Sequence, residues 1–191
     1  MRPPKKLRAL ARHLPLEHGP WLELACGGGQ HLVHLAPGSL GVDRDAGALE
    51  RCRARGLRAE QRDLDVEGWS MGLEPPHAVL AVDLLMHLRR PANCLEELAR
   101  FLPVGTPLAL CEWVFPAGGL PLALALAVPG ARRVRSEPEH LRHYTAHELE
   151  QLLEAAGFAL ERVEAHSLPR ALRPLAGAWW PPRTWIARAA P

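Results

Sequence analysis

Trp21-Leu22-Glu23-Leu24-Ala25-Cys26-Gly27-Gly28-Gly29 is a largely apolar run of strand length that breaks into consecutive glycines. The pattern predicts a buried strand over Trp21 to Ala25, a glycine-rich turn, and a helix starting near Gly29. Glycine has no Cβ, so its backbone takes positive φ and lets another group lie against it. The first N–H groups of a helix lack intrahelical partners and present a partly positive site. Ser39-Leu40-Gly41-Val42 reads as the next strand, and Asp43 ends it with a carboxylate able to accept hydrogen bonds from ribose hydroxyls. A glycine turn beside an acid at the carboxyl edge of a parallel sheet describes a nucleoside site.

The spacing argues against the dinucleotide version of that site. A Gly-x-Gly-x-x-Gly fingerprint uses its last glycine to bring helix and strand together. From Gly27 the run is Gly27-Gly28-Gly29-Gln30-His31-Leu32, so Leu32 stands where that glycine belongs. This disfavours an NAD-dependent oxidoreductase.

Further strands follow in order. Arg58 to Arg62 reads as a third, ending at Asp63-Leu64, and His77 to Val82 is an apolar run suited to a central strand. Pro91 to Leu102 is an amphipathic helix with Cys94, Leu95, Leu98 and Leu102 inward and Glu96, Glu97 and Arg100 toward water. Pro107 to Glu112 is a fifth strand. Thr145-Ala146-His147-Glu148 fits a capping box opening a helix that stops at Gly157. Phe158 to Val163 and Thr184 to Ala187 complete seven strands, the last antiparallel because a helix-free return loop precedes it.

Composition bounds the setting. At 191 residues one domain, 1–191, is expected, and a net charge of +2 gives no polybasic surface for nucleic acid or anionic membrane. Arg132, Arg133 and Arg135 form a local basic cluster that reads as a solvated face. Lysine occurs only at Lys5 and Lys6 while arginine abounds, a bias that points to a high-GC, bacterial genome. Cys26, Cys52, Cys94 and Cys111 are dispersed with no Cys-x-x-Cys pair, as reduced structural thiols would be. The Met1 to Pro20 segment has no continuous apolar core of the kind a signal peptide carries, and Gly118 to Val128 is too short to span a bilayer. A cytoplasmic protein without membrane insertion is the expectation.

The loop resembles the first motif of the class I S-adenosylmethionine-dependent methyltransferases, an acid followed by Gly-x-Gly-x-Gly. Glu23 matches the acid, Gly27 and Gly29 match the second and third glycines, and Ala25 replaces the first. Leu84-Leu85-Met86-His87-Leu88 is similar to the stretch after the fourth strand in the ubiquinone/menaquinone-biosynthesis type. Pro103-Val104-Gly105-Thr106 resembles that family's Pro-Gly-Gly turn, with Val104 a departure. The resemblance implies a Rossmann-like three-layer α/β sandwich with a seven-stranded, mostly parallel sheet. It also implies S-adenosylmethionine as cofactor and transfer of a methyl group to an acceptor, here expected to be small and partly apolar.

The same resemblance distributes roles. Glu23 serves the methionine end. Ala25, Gly27 and Gly29 supply backbone approach, Asp43 with Arg44 the ribose, and Asp63 with Leu64 the adenine. Ala81 and Val82 lie near the sulfonium through their carbonyls. Asp63 is alternatively a turn cap, with Asp65 as the adenine contact. His87 and His143 are the catalytic candidates: His87 as base, acceptor-orienting group or mere cap, and His143 beside Tyr144 as acceptor contact or lid packing. Asp83 is a weaker candidate at the same edge. His31 and His34 lie three apart, but with no third ligand they read as solvent-facing or packing rather than metal-binding. Residues 113–144 form the expected substrate lid, with Gly118-Gly119 as a hinge. A monomer or homodimer is expected. The competing reading is a methyltransferase fold acting as a binding or scaffold protein without turnover.

Overall fold

Strand alternation in this chain divides apolar side chains between two cores, one on each face of a single sheet. The computed structural model describes residues 3–116, 131–165 and 183–191. Its strands are β1 (Trp21–Leu24), β2 (Leu40–Asp43), β3 (Arg58–Gln61), β4 (Ala78–Val82), β5 (Pro107–Glu112), β6 (Phe158–Ala165) and β7 (Arg183–Ala189). They are ordered β3-β2-β1-β4-β5-β7-β6. The first five run parallel, and β7 is antiparallel to both β5 and β6. Leu22, Leu24, Val79, Ala81, Leu108 and Leu110 face one core, while Trp21, Ala78, Leu80 and Ala109 face the other. This is the expected Rossmann-like α/β architecture with seven strands.

The described helices are α1 (Lys5–Leu10), α2 (Ala46–Ala54), α3 (Pro91–Phe101), α4 (Ala131–Ser136) and α5 (Ala146–Ala155). Leu7 and Leu10 of α1 are buried in the Trp21 core, so the N-terminal turn is part of the packing. Asp45 caps α2 by accepting from the Gly47 and Ala48 N–H groups. Thr145 and Glu148 form the expected capping box on α5, and Gly157 follows at φ +94. No described helix is long and apolar enough to cross a membrane.

Two expectations are corrected. No helix starts at Gly29: turns lead into a single 3-10 turn, Leu32–His34. Once the glycine loop has left the sheet, only residues 30–39 remain before β2, and Pro37-Gly38 already form a turn. A parallel crossover connection runs to about a dozen residues or more, and here the glycine loop and the Pro37-Gly38 turn take up much of residues 25–39. Glu97 does not face water either. It is 8% exposed and accepts from the Gly68 N–H, the Ser70 N–H and the Ser70 hydroxyl, which tie the loop after β3 to α3. The return loop before β7, the Gly118-Gly119 hinge and the core of the expected lid lie outside the described residues, as do the side chains of Arg132 and Arg133.

The loop glycines differ in what surrounds them. A Cβ on Gly29 (φ +74) would meet Leu57 Cδ1 at 2.6 Å and Cys52 Sγ at 2.8 Å, whereas one on Gly27 (φ +51) meets nothing within 4 Å. Left-handed backbone costs a non-glycine residue about 1–2 kcal/mol, and overpacking adds about 1–3 kcal/mol. Gly29→Ala is therefore expected to lose about 2–5 kcal/mol in urea unfolding, and Gly27→Ala about 1–2 kcal/mol. Equal losses at the two positions would contradict this account.

Candidate active site

The strand order reverses between β1 and β4, and at such a switch point the loops leaving the two strands diverge and open a crevice. In β1, Leu24 pairs with Val42 of β2 and Ala81 of β4, so Ala25, Asp43 and Val82 emerge along one edge. A cleft of about 270 Å³ opens there, lined by Ala25, Asp43, Arg44, Arg62, Asp63, Leu64, Val82, Asp83, Leu84, His87, Leu88 and Glu139. Eight of the residues named from sequence thus meet: Ala25, Asp43, Arg44, Asp63, Leu64, Val82, Asp83 and His87. Glu23, Gly27, Gly29, Ala81 and His143 are not among the lining residues.

The glycine loop is held from within. Ala25 sits at φ +54, where an L-residue is strained and the family glycine is not. The Cys26 N–H donates to the Val42 carbonyl, the Gly29 N–H to the Cys26 carbonyl, and the Gly27 N–H to Asp43 Oδ2 at 2.8 Å. Asp43 Oδ1 accepts from the Asp45 N–H at 2.9 Å. Each Asp43 oxygen retains a second lone pair for a further donor. Three loop N–H groups are consumed and no helix N-terminus follows, so the loop does not build a pyrophosphate cradle. Beyond β3, Asp63 lines the cleft, while Asp65 lies outside it and accepts from the Arg90 N–H at the head of α3.

Glu23 is 1% exposed, and its Oε1 lies 3.1 Å from His31 Nδ1. Burial pushes the carboxyl up from the usual carboxylate range, against the opposing pull of His31. Its Oε2 is buried without a hydrogen-bond partner. The 3-10 turn in place of a helix brings His31 inward to this carboxyl, a pairing the i, i+3 spacing of His31 and His34 did not suggest.

The weaker candidate Asp83 belongs to a second group of charges whose other members, Lys6 and Glu112, were not singled out from sequence. Asp83 takes φ +51, and the Lys6 ammonium of α1 donates to its Oδ2 at 2.6 Å. Glu112, fully buried at the end of β5, accepts through one oxygen from the Leu84 and Leu85 N–H groups, each at 2.7 Å. Those bonds pin the turn that carries His87. Burial first, then the neighbouring Asp83, raises the Glu112 carboxyl to about 8. The visible signal was an acid ending the otherwise apolar Pro107 to Glu112 run.

His87 lies edge-on to His140, ring centres 4.7 Å apart, and its Nδ1 is 3.3 Å from the Glu139 carbonyl. Burial, with His140 second, lowers its basicity. His143 packs edge-on against Phe115 at 5.5 Å, and Arg135 covers the same ring. Phe115 N–H donates to the Tyr144 carbonyl at 2.8 Å, and Val114 and Tyr144 form a parallel bridge. In this geometry His143 and Tyr144 pack against the described start of the 113–144 segment. A second cleft of about 390 Å³, between the His87 turn and α4, shares Asp83, His87 and Glu139 with the first.

Comparison with known proteins follows the same lines. The family described as "Methyltransferase domain" matches residues 2–163. An S-adenosylmethionine-dependent methyltransferase of Mesorhizobium loti is 20% identical, with a TM-score of 0.71 over 97% of this chain and 98% of its own. A Haloferax volcanii protein assigned to the methyltransferases, solved with the Trm112 methyltransferase activator, is 13% identical at TM-score 0.72 over 98% and 89%. The [4+2]-cyclase SpnF is 20% identical at TM-score 0.68 over 97% and 81%. At these identities the structural likeness is one of fold. No curated protein matches this chain by sequence.

The buried Glu112 has a measurable consequence. Its folded value of about 8 lies above the ordinary 4.5, so the folded state keeps a proton that the unfolded chain releases. The resulting stabilisation is complete below the ordinary value and is lost as pH rises toward the folded one. Melting curves between pH 5 and 8 are expected to show this decline in the wild type and a flatter profile in Glu112→Gln. Parallel profiles would mean that Glu112 is ionised in the folded protein.

Proposed function

This chain belongs to the methyltransferase domain family, within the S-adenosylmethionine-dependent enzymes of class I, and on that premise we propose that the cleft at the ends of β1, β2 and β4 holds the cofactor and serves transfer to a small-molecule acceptor. The observation that carries the placement is the pairing of Asp43 with the strained loop at Ala25 and Gly27. A carboxylate with free lone pairs faces the cleft, and three of the loop's own N–H groups are already used. That donor set suits a nucleoside without phosphates, and S-adenosylmethionine is one.

In this reading Asp43 takes the ribose diol with Arg44 beside it. Asp63 and the buried Leu64 flank the adenine, and the Val82 carbonyl faces the sulfonium end with Ala81 behind it. Glu23 acts through His31 and the loop, and Gly29 by letting Leu57 and Cys52 pack beneath that loop. The cofactor brings a methyl already activated by its sulfonium charge. The chain's task is to hold the acceptor atom about 3 Å away and exclude water. His87, common to both clefts and held toward its neutral form, is placed to accept a proton. His143 supports the wall behind it. The whole of 1–191 acts as one cytoplasmic domain with 113–144 over the acceptor side. The His87 stretch aligns it with the ubiquinone/menaquinone-biosynthesis type.

Titration calorimetry with S-adenosylhomocysteine tests the cofactor site. Micromolar binding is expected, weakened about 30-fold or more in Asp43→Asn, because two charge-assisted hydrogen bonds of about 1.5–3 kcal/mol each are impaired. Absence of binding by folded wild-type protein would overturn the assignment.

A further inference from the structure

The second cleft adjoins the first across Asp83, His87 and Glu139, so whatever occupies it lies against the sulfonium end of the first; this inference rests on the cofactor reading above. The two chambers differ in charge. Arg44 and Arg62 line the first alone. Among the described residues, the second is lined by Asp83, Glu137 and Glu139 and by no lysine or arginine. Lys6 occupies only Oδ2 of Asp83, and the other oxygen is buried without a partner. The indole of Trp113 and the thioether of Met86 supply an aromatic face and an apolar wall.

We propose that this second cleft is the acceptor chamber and takes a small molecule bearing a basic nitrogen on an apolar or aromatic body, with Asp83 anchoring the nitrogen. An acidic lining disfavours acceptors bearing a carboxylate or phosphate, and an alcohol gains nothing from it. A protonated amine is attracted electrostatically and fits over the indole. His87 stands on the partition, where burial and His140 keep it a neutral base. Transfer forms one N–C bond and breaks the S–C bond, whose electron pair stays on sulfur. The ammonium first gives a proton to His87, which passes it to water. The freed nitrogen lone pair forms the new bond, and the methylated nitrogen carries the positive charge that sulfur gives up.

The test is calorimetry of the full chain with 2-phenylethylamine, 2-phenylethanol and 3-phenylpropanoate, each with and without saturating S-adenosylhomocysteine. The amine is expected to bind about tenfold more tightly than the alcohol and the acid not at all, as a partly exposed charge pair plus a cation–π contact allows. Asp83→Asn should erase most of that preference. Val134→Trp, at a position lining only the second cleft, should abolish amine binding while S-adenosylhomocysteine binding persists. Melting curves establish that both variants fold. An amine bound no better than the alcohol, or amine affinity unmoved by Val134→Trp, overturns the chamber. Loss of S-adenosylhomocysteine binding with the amine preference intact would overturn the cofactor reading alone.

Discussion

The hydrogen bond from the Gly27 N–H to Asp43 Oδ2 is the constraint on which the site is built. It ties the loop leaving β1 to the end of β2 and forces the backbone through left-handed conformations at Ala25, Gly27 and Gly29. Because the same carboxylate also holds the Asp45 N–H at the start of α2, loop, strand end and helix cap become one rigid unit. The strain at Ala25 is tolerated because its neighbours in the sheet over-determine it. A site carried by such a unit is positioned by the sheet and not by loop conformation.

Acids at strand ends do different work here, and burial separates them. Asp43 and Asp63 face the cleft with acceptor capacity to spare. Glu23 is sealed beneath the loop against His31. Glu112 is sealed under the next turn, where one oxygen accepts from two backbone N–H groups and the other is buried without a partner. A carboxylate left in water serves recognition, while one taken out of water must be paired or protonated. Glu112 holds the His87 turn from below, and Lys6 holds Asp83 from the side, so the partition between the clefts is braced by groups far from it in sequence.

The likeness to both a methyltransferase and a cyclase shows how little the architecture constrains the reaction. The sheet delivers a crevice at its switch point, and the side chains on the loops beyond β4 and β5 decide what is done there. In this chain those loops carry carboxylates, histidines and a tryptophan.

Apolar runs of strand length, the glycine run and the turn signals between them were enough to determine seven strands and a mostly parallel sheet, because each is a local property of backbone and side chain. The Thr145 capping box and the Pro91 helix were legible for the same reason. What the tertiary structure alone decided is where polar groups went once water was excluded. Glu97 turned inward to Gly68 and Ser70, His31 to Glu23, and Lys6 to Asp83, and a helix expected after Gly29 gave way to a 3-10 turn between the glycine loop and the Pro37-Gly38 turn. Those outcomes depend on partners distant in sequence and on the distance the chain must cover, and neither is written in any local pattern.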